Sequence, residues 1–262
     1  MQFGSSTMFL REKPVAVALQ VIARAGFSAA EVWLEHLWQS NESAEHISRH
    51  ARALGLILTL HAPNRDVNIC SMNPGIRRES IRQMEESLVI AARLEAQVVV
   101  MHPGFRSSMR DSLEKTWESF FEIAAALDAK AASYGVRVGI EAMEKQAKAF
   151  FVTPSDLRRF CERTWHATGL TIDLAHAQTV MAPRDYLAQI PADRIVHAHC
   201  SDSSPQQTHL PLGSGVLDLP AALSALGKKF DGIVILEGYV TGQGERIVPA
   251  NADYLRGLGY LK

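Results

Sequence analysis

VRVGIE, residues 136–141, is an apolar run that ends on a carboxylate, Glu141. The same design, in which a short apolar run ends on a histidine or an acidic residue, recurs along the chain. Its other copies are LILTLH (56–61), VVVMH (98–102), GLTID (169–173), RIVHAH (194–199), GIVILE (232–237) and the weaker EVWLE (31–35). Short runs that are apolar throughout are typical of parallel strands buried on both faces.

Amphipathic segments separate these runs. Apolar residues at helical spacing predict helices at Pro14–Ala25, Ala44–Leu54, Ile76–Leu94 and Asp111–Ser133, and further helices from Thr153-Pro154, near Asp218 and within Pro249–Leu258. With a first strand near Gln2–Ser5, alternating β and α units fill the chain, which predicts an α/β fold, a single (β/α)8 TIM barrel over residues 1–262. An open doubly wound sheet is the alternative, but the chain has neither a GxGxxG nor a Walker-type phosphate motif.

The composition is that of an ordinary globular chain. Of its 262 residues, 47% are hydrophobic and 21% charged, and the formal net charge of -1 predicts no general attraction to nucleic acid. No apolar run approaches the ~20 residues of a membrane span, and the N-terminus does not resemble a signal peptide. Three widely spaced cysteines form neither a CxxC motif nor a disulfide framework, so we expect a cytoplasmic protein.

Four strand-end residues form the predicted centre of the site. Glu141, Asp173, His199 and Glu237 end the fifth to eighth predicted strands, and in a barrel these ends meet at one mouth. Three carboxylates aimed at one point repel one another unless a cation lies between them, and the imidazole adds a nitrogen donor to the set. This mixed set of oxygen and nitrogen donors predicts a divalent metal, chosen from Zn, Mn, Co, Fe and Mg.

Four further histidines belong to the same mouth. His61 and His102 end the third and fourth predicted strands, His176 follows Asp173 by three residues, and His209 lies in the loop THLPLGSG. They are candidates to hold a second or third metal, for one to three ions in all. His176 and His209 are also candidates to contact a polyhydroxyl substrate.

The remaining polar features have weaker assignments. Glu35, at the end of EVWLE, is predicted to contact the substrate, and His197 to lie one layer below His199 as a core residue or a support for a ligand. The turn Leu212–Gly215 precedes a predicted helix, so it is either a phosphate-binding loop or a plain Gly-rich loop.

Taken as a set, these motifs resemble the xylose isomerase-like TIM-barrel superfamily. The superfamily includes sugar isomerases and epimerases, inositol-catabolism enzymes and the endonuclease IV type of apurinic endonuclease, AP endonuclease family 2. The resemblance covers most of the chain. It rests on His61-Ala62-Pro63, His102-Pro103-Gly104, Glu141, Asp173 with His176, His199 with Asp202, His209 ahead of Leu212–Gly215, and Glu237.

The two branches of the superfamily imply different roles. In the sugar branch, the resemblance implies that the four strand-end residues hold the metal and that Glu141 and Glu237 double as acid and base on opposite faces of the substrate. In the endonuclease branch, the four further histidines help to hold three zinc ions. This chain departs from that branch at two positions. It has Gln207 where the endonucleases have an aspartate ligand, and Asn64 where they have an aromatic residue.

The resemblance favours a divalent-metal-dependent isomerase or epimerase that acts on a small sugar, sugar acid or polyol by proton transfer through an enediolate. A small carbohydrate is then the expected partner, and a homodimer is a candidate assembly. One alternative is an endonuclease IV-like phosphodiester hydrolase of abasic-site repair, for which nucleic acid is the partner. The other is a non-catalytic barrel that binds a metal or a sugar.

Overall fold

Eight parallel strands close into a barrel in the structure, a computed structural model that describes residues 1–262. In chain order the strands are β1 (Gln2–Ser6), β2 (Ala29–Trp33), β3 (Ile57–His61), β4 (Val98–Met101), β5 (Arg137–Glu141), β6 (Thr168–Asp173), β7 (Ile195–Cys200), β8 (Asp202–Ser204), β9 (Gln207–Leu210) and β10 (Ile233–Leu236). All but β8 and β9 form the barrel, and β10 pairs with β1 to close it. The predicted (β/α)8 fold is therefore confirmed.

Helices surround the barrel between its strands. They are α1 (Val15–Arg24), α2 (Leu34–Ser40), α3 (Ala44–Ala53), α4 (Pro74–Leu94), α5 (Leu113–Tyr134), α6 (Pro154–Cys161), α7 (Leu174–Gln178), α8 (Pro183–Ala188), α9 (Leu219–Gly227) and α10 (Gly244–Gly257). None of these helices combines the length and the apolar character that crossing a membrane requires.

Local capping fixes where several helices begin. Helices begin at Thr153-Pro154 and near Asp218, as the sequence predicts. Thr153 forms a capping box with Asp156 at α6, and the side chain of Asp218 accepts a hydrogen bond from the Ala221 N–H at α9. The α5 helix starts later than predicted because Ser112 caps it, with its hydroxyl accepting from Lys115 N–H. The last helix starts earlier than predicted and has Pro249 inside it.

The barrel strands bury both of their faces. Outward residues such as Leu58, Val99 and Ile140 belong to one large core cluster with helix residues that include Trp117 and Phe120. The inward residues Ala29, Ile233 and Ile235 form a separate small cluster, packed against Ile57. This separation is the one that the alternation of side chains along a strand produces.

The position of β2 differs from the prediction in a way that matters for the site. The run EVWLE predicts a strand that begins at Glu31 and includes Leu34, whereas β2 begins at Ala29 and Leu34 already begins α2. In the observed register, Glu31 pairs with Thr59 and Trp33 pairs with His61. Because residues that pair laterally point to the same face of a sheet, Glu31 turns into the barrel interior.

Candidate metal centre

The ends of β5, β6, β7 and β10 bring the four predicted central ligands together. One donor atom from each of Glu141, Asp173, His199 and Glu237 lies within 4.8 Å of the donor atoms of the others. His199 Nδ1 is 3.1 Å from Glu141 Oε1 and 3.2 Å from Glu237 Oε2. Asp173 pairs directly with His199 across β6 and β7, so the sheet register itself sets this arrangement.

Two carboxylate oxygens in this group are buried and have no hydrogen-bond partner. Asp173 uses Oδ1 to cap α7 by accepting from His176 N–H at 2.9 Å, while its Oδ2 is left free. Glu141 Oε2 also has no hydrogen-bond partner, although the imidazole rings of His61 and His102 lie near it. Buried polar atoms in native proteins are nearly always paired, so these oxygens fit a bound divalent cation.

His61 and His102 form a second candidate ligand group with Glu141. Their Nε2 atoms lie 3.6 Å and 2.9 Å from Glu141 Oε2, respectively. Neither contact has the distance and alignment of a hydrogen bond to that oxygen. Glu141 therefore faces two groups at once, with Oε1 toward His199 and Oε2 toward the two histidines.

His176 and His209 form a third group with Asp173. The two Nε2 atoms are 3.1 Å apart, and the Oδ2 atom of Asp173 is 4.0 Å from a nitrogen of each ring. His209 is carried by β9 of the β8–β9 hairpin, which the sequence analysis did not predict, and its backbone has a left-handed φ of 57°. Gln207, on the same strand, is exposed.

The pKa shifts of two buried histidines show how they interact with the carboxylates of the centre. Burial lowers the pKa of His199, but the charges of Glu237, Glu31 and Glu141 outweigh it and raise this pKa well above the ordinary value. Burial likewise opposes the change at His61, where Glu141 and Glu31 raise the pKa to about 9. Without a cation, the buried carboxylates thus favour the protonated forms of His61 and His199, while burial lowers the pKa of His102 and of His197.

A cavity of about 380 Å³ opens above the ligands. Glu141, Glu237 and all four of the further histidines line its polar side. The apolar part of the lining consists of Met8, Phe9, Trp33, Phe105 and Met143, and the Trp33 ring lies 5.0 Å from the His61 ring. A small pocket with a polar group of ligands and an apolar wall is typical of sites for small molecules.

The Asn68 side chain holds part of this wall in place. Its amide donates to the Phe105 carbonyl at 2.9 Å, and its Oδ1 accepts from the Phe105 N–H, also at 2.9 Å. Gly104 makes the turn after His102 with a φ of 83°, and a Cβ there would lie 2.6 Å from Asn68 Oδ1. The motif His102-Pro103-Gly104 therefore forms a tight turn whose third position requires glycine.

The turn Leu212–Gly215 is folded by an internal carboxylate. Asp202 is buried and accepts from the backbone N–H groups of Ser203, Gly215 and Leu217 at 2.8 to 3.0 Å. These donors are therefore occupied by a side chain and are not directed at an external anion. Of the two interpretations of this turn, the structure supports the structural one.

Glu35 lies outside the cavity lining. Its Oε1 accepts from the backbone N–H groups of Asn64 and Arg65 at 3.0 and 3.3 Å, so it holds the loop after β3 and does not face the substrate space. The residue that sequence analysis missed is Glu31, which forms a buried group with His197 and His199. The available signal was the charge inside EVWLE, two residues before Trp33 on the inward face.

Residues 19–262 match the model of the xylose isomerase-like TIM barrel family. The chain belongs to this family. Among sequence relatives, it is 24% identical over 244 residues to the uncharacterized protein MJ1311 of Methanocaldococcus jannaschii, covering 90% of this chain and 83% of that protein. It is 27% identical over 260 residues to the uncharacterized protein Rv0498 of Mycobacterium tuberculosis, covering 89% and 87% of the two chains.

Solved structures share the fold over nearly the whole chain. A D-tagatose 3-epimerase-like protein has a TM-score of 0.86 at 22% identity, covering 98% of this chain and 97% of its own. The 3-keto-D-glucoside 4-epimerase YcjR from E. coli has a TM-score of 0.83 at 20% identity, covering 99% of each. The IolI protein, whose crystal structure holds a zinc atom, has a TM-score of 0.81 at 18% identity, covering 99% and 96%.

Proposed function

We propose that this protein is a divalent-metal-dependent isomerase or epimerase acting on a small sugar, sugar acid or polyol. One observation carries the proposal. Glu141 and Glu237 both line the cavity and approach the same His199 nitrogen, at 3.1 and 3.2 Å. Two carboxylates beside one ligand nitrogen supply both an acid and a base next to a cation site, which a proton shift between carbon atoms requires.

The structural neighbours support the same class of reaction. They include a D-tagatose 3-epimerase-like protein, a D-psicose 3-epimerase in the presence of D-fructose, and a 3-keto-D-glucoside 4-epimerase. The mixture of apolar and polar lining residues suits a sugar, since sugars present apolar C–H faces as well as hydroxyl groups. The cavity volume of about 380 Å³ is of the size that a small ligand needs.

The contacts suggest separate roles for these residues in cation binding, proton transfer and substrate orientation. Asp173 and His199 are buried and would hold the cation, and Glu141 and Glu237 would share that task. A bound divalent cation supplies Lewis acidity, which polarises a substrate carbonyl. Either Glu141 or Glu237 then takes the proton from the adjacent carbon and the other returns one. His176 and His209 orient hydroxyl groups from the side of the cavity that they line.

Deuterium exchange tests this proposal whichever product the reaction forms. Protein reconstituted with Mn²⁺, Co²⁺ or Zn²⁺ is incubated in D₂O with D-tagatose, D-psicose or D-fructose, and the ketoses are followed by proton NMR. We expect deuterium at the carbon beside the carbonyl with at least one ketose, and loss of exchange after chelation. The absence of exchange with every metal and ketose, in protein with a measured metal content, contradicts the proposal for these substrates.

A phosphodiester hydrolase is the second candidate, and one observation favours it. Glu141 and Asp173 each belong to two of the ligand groups, so the site offers donors for more than one cation. Paired metal ions are typical of enzymes that cleave phosphodiesters. Incision of a duplex with one abasic site, compared with an intact duplex, separates the two functions. Specific incision without ketose exchange favours the hydrolase.

A further inference from the structure

Glu31 is a fully buried carboxylate in the middle of β2, one layer below the cavity mouth. It pairs laterally with Thr59 on one side and with Ser6 on the other. Burying a carboxylate costs several kcal/mol unless it is paired and hydrogen-bonded. Its neighbours in the interior therefore indicate what it does there.

The two oxygens of Glu31 have different surroundings. Oε2 accepts from the Thr59 hydroxyl at 2.9 Å and lies 3.0 Å from His197 Nε2. Oε1 faces His199 Nε2 at 3.1 Å, off the line of a well-aligned hydrogen bond, and neither atom has an aligned partner elsewhere. Thr59 and His197 thus fix the carboxylate so that its second oxygen is directed at His199.

His199 lies between two sets of carboxylates. Its Nδ1 faces Glu141 and Glu237 in the candidate metal centre, and its Nε2 faces Glu31. A neutral imidazole has one lone pair and one N–H, so a ring that binds a cation through Nδ1 has its hydrogen on Nε2. That hydrogen then points toward the free oxygen of Glu31.

We propose that Glu31, held by Thr59 and His197, is a positioning residue that accepts the Nε2 hydrogen of His199 and so fixes the ring and its tautomer for metal binding through Nδ1. The inference rests on the metal centre of the proposed function. Removing such a support typically weakens metal binding by about 10–100-fold. Glu31 lies below the ligands and does not line the cavity, so it acts through His199 and not on the substrate.

The test measures metal binding, not turnover. Apo protein of the full chain is titrated with Zn²⁺ in competition with a chelating dye, and with Co²⁺ while its visible absorption is recorded. For Glu31→Gln, we expect Zn²⁺ affinity about 10–100-fold below wild type and altered Co²⁺ bands. The amide carries no charge, and with its oxygen accepting from the Thr59 hydroxyl it turns an NH₂ donor toward His199.

Asp128→Asn is the matched control. Asp128 is also a buried carboxylate, but it accepts from the His166 and Ala167 N–H groups on the outside of the barrel. Its variant has wild-type Zn²⁺ affinity if the effect is specific to Glu31. An equal loss of affinity in both variants overturns the proposal, since it shows general damage to the fold.

Glu31→Asp covers the case in which Glu31→Gln does not fold. Aspartate keeps the charge but draws the carboxylate away from His199, so weaker Zn²⁺ binding supports positioning and wild-type binding overturns it. Wild-type affinity in folded Glu31→Gln also overturns the proposal while leaving the metal centre intact. Failure of the wild-type protein to bind any metal is a separate result, and it overturns the metal centre itself.

Discussion

Glu141 connects the ligand groups at the scale of single residues. Its Oε1 lies 3.1 Å from His199 Nδ1 and its Oε2 lies 2.9 Å from His102 Nε2. The sequence predicted this residue correctly as a strand end that faces the mouth. It did not single out Glu31, because the run EVWLE ends on Glu35, which lies in α2 and belongs to none of the candidate ligand groups. Only the observed pairing with Thr59 shows that Glu31 faces inward.

Glu237→Gln is expected to abolish most proton exchange on a ketose substrate. The amide cannot take or return the proton, and general acid–base groups contribute about 10²–10⁴-fold to a rate. The measurement is the initial rate of deuterium incorporation at equal metal content. Glu122→Gln, at an exposed position on α5, is the control and should exchange at the wild-type rate. Retained exchange in Glu237→Gln removes the acid–base assignment.

Metal-free protein is expected to lose stability as the pH rises from 6.5 to 9. The pKa of His61 is raised from 6.5 to about 9, so its contribution is fully present below pH 6.5 and is lost as the pH passes through about 9. His199, whose pKa is also raised, acts in the same direction. Thermal unfolding across this range checks the trend. His61→Asn should flatten the dependence, and an unchanged slope in that variant contradicts the assignment to His61.

At the scale of elements, the strands were predictable and the β8–β9 hairpin was not. Each barrel strand is an apolar run. Because successive side chains of a strand point to opposite faces, counting by two from the strand end predicts which side chains face inward. The hairpin comes from SDSSPQQTHL, residues 201–210, which has no apolar period and is held by side-chain and backbone contacts. Position in the loop was enough to place His209 at the mouth, but not to predict the left-handed φ of 57° that directs it there.

His209→Gly is expected to be more stable than His209→Ala. Both variants lack the imidazole, but glycine adopts the left-handed backbone conformation without the steric cost that alanine has, a difference of about 1 kcal/mol. Chemical denaturation of the two variants measures it. If a metal binds with His176 and His209, both variants should bind less of it. Equal unfolding free energies contradict the role of backbone conformation at this position.

At the scale of the whole molecule, eight alternating units were enough to predict the closed barrel. The sequence could not predict the distances between the side chains at neighbouring strand ends, because these distances are set by the register and twist of the strands. The grouping of His176 with His209, and not with the other histidines, is an example. It depends on where α7 and the hairpin meet above the barrel.

Chelation is expected to lower the thermal unfolding midpoint of protein that has been loaded with metal. A cation bound to the folded state stabilises it by mass action, and its removal leaves Glu141, Asp173 and Glu237 close together. Differential scanning fluorimetry with and without chelator measures the change. Re-addition of metal should restore the midpoint, whereas an unfolding curve that is insensitive to both treatments contradicts the presence of a metal centre.

The pairing of β1 with β10 has a consequence for biosynthesis. While the ribosome is still translating, β1 has one edge that stays open until Leu236 has emerged, since its partner is almost the last strand made. Glu237 follows directly and is the last of the central ligands to be synthesised. An incomplete nascent chain therefore has neither a closed barrel nor a full set of donors. The four-residue group of Glu141, Asp173, His199 and Glu237 is thus complete only in chains that have been translated past this point.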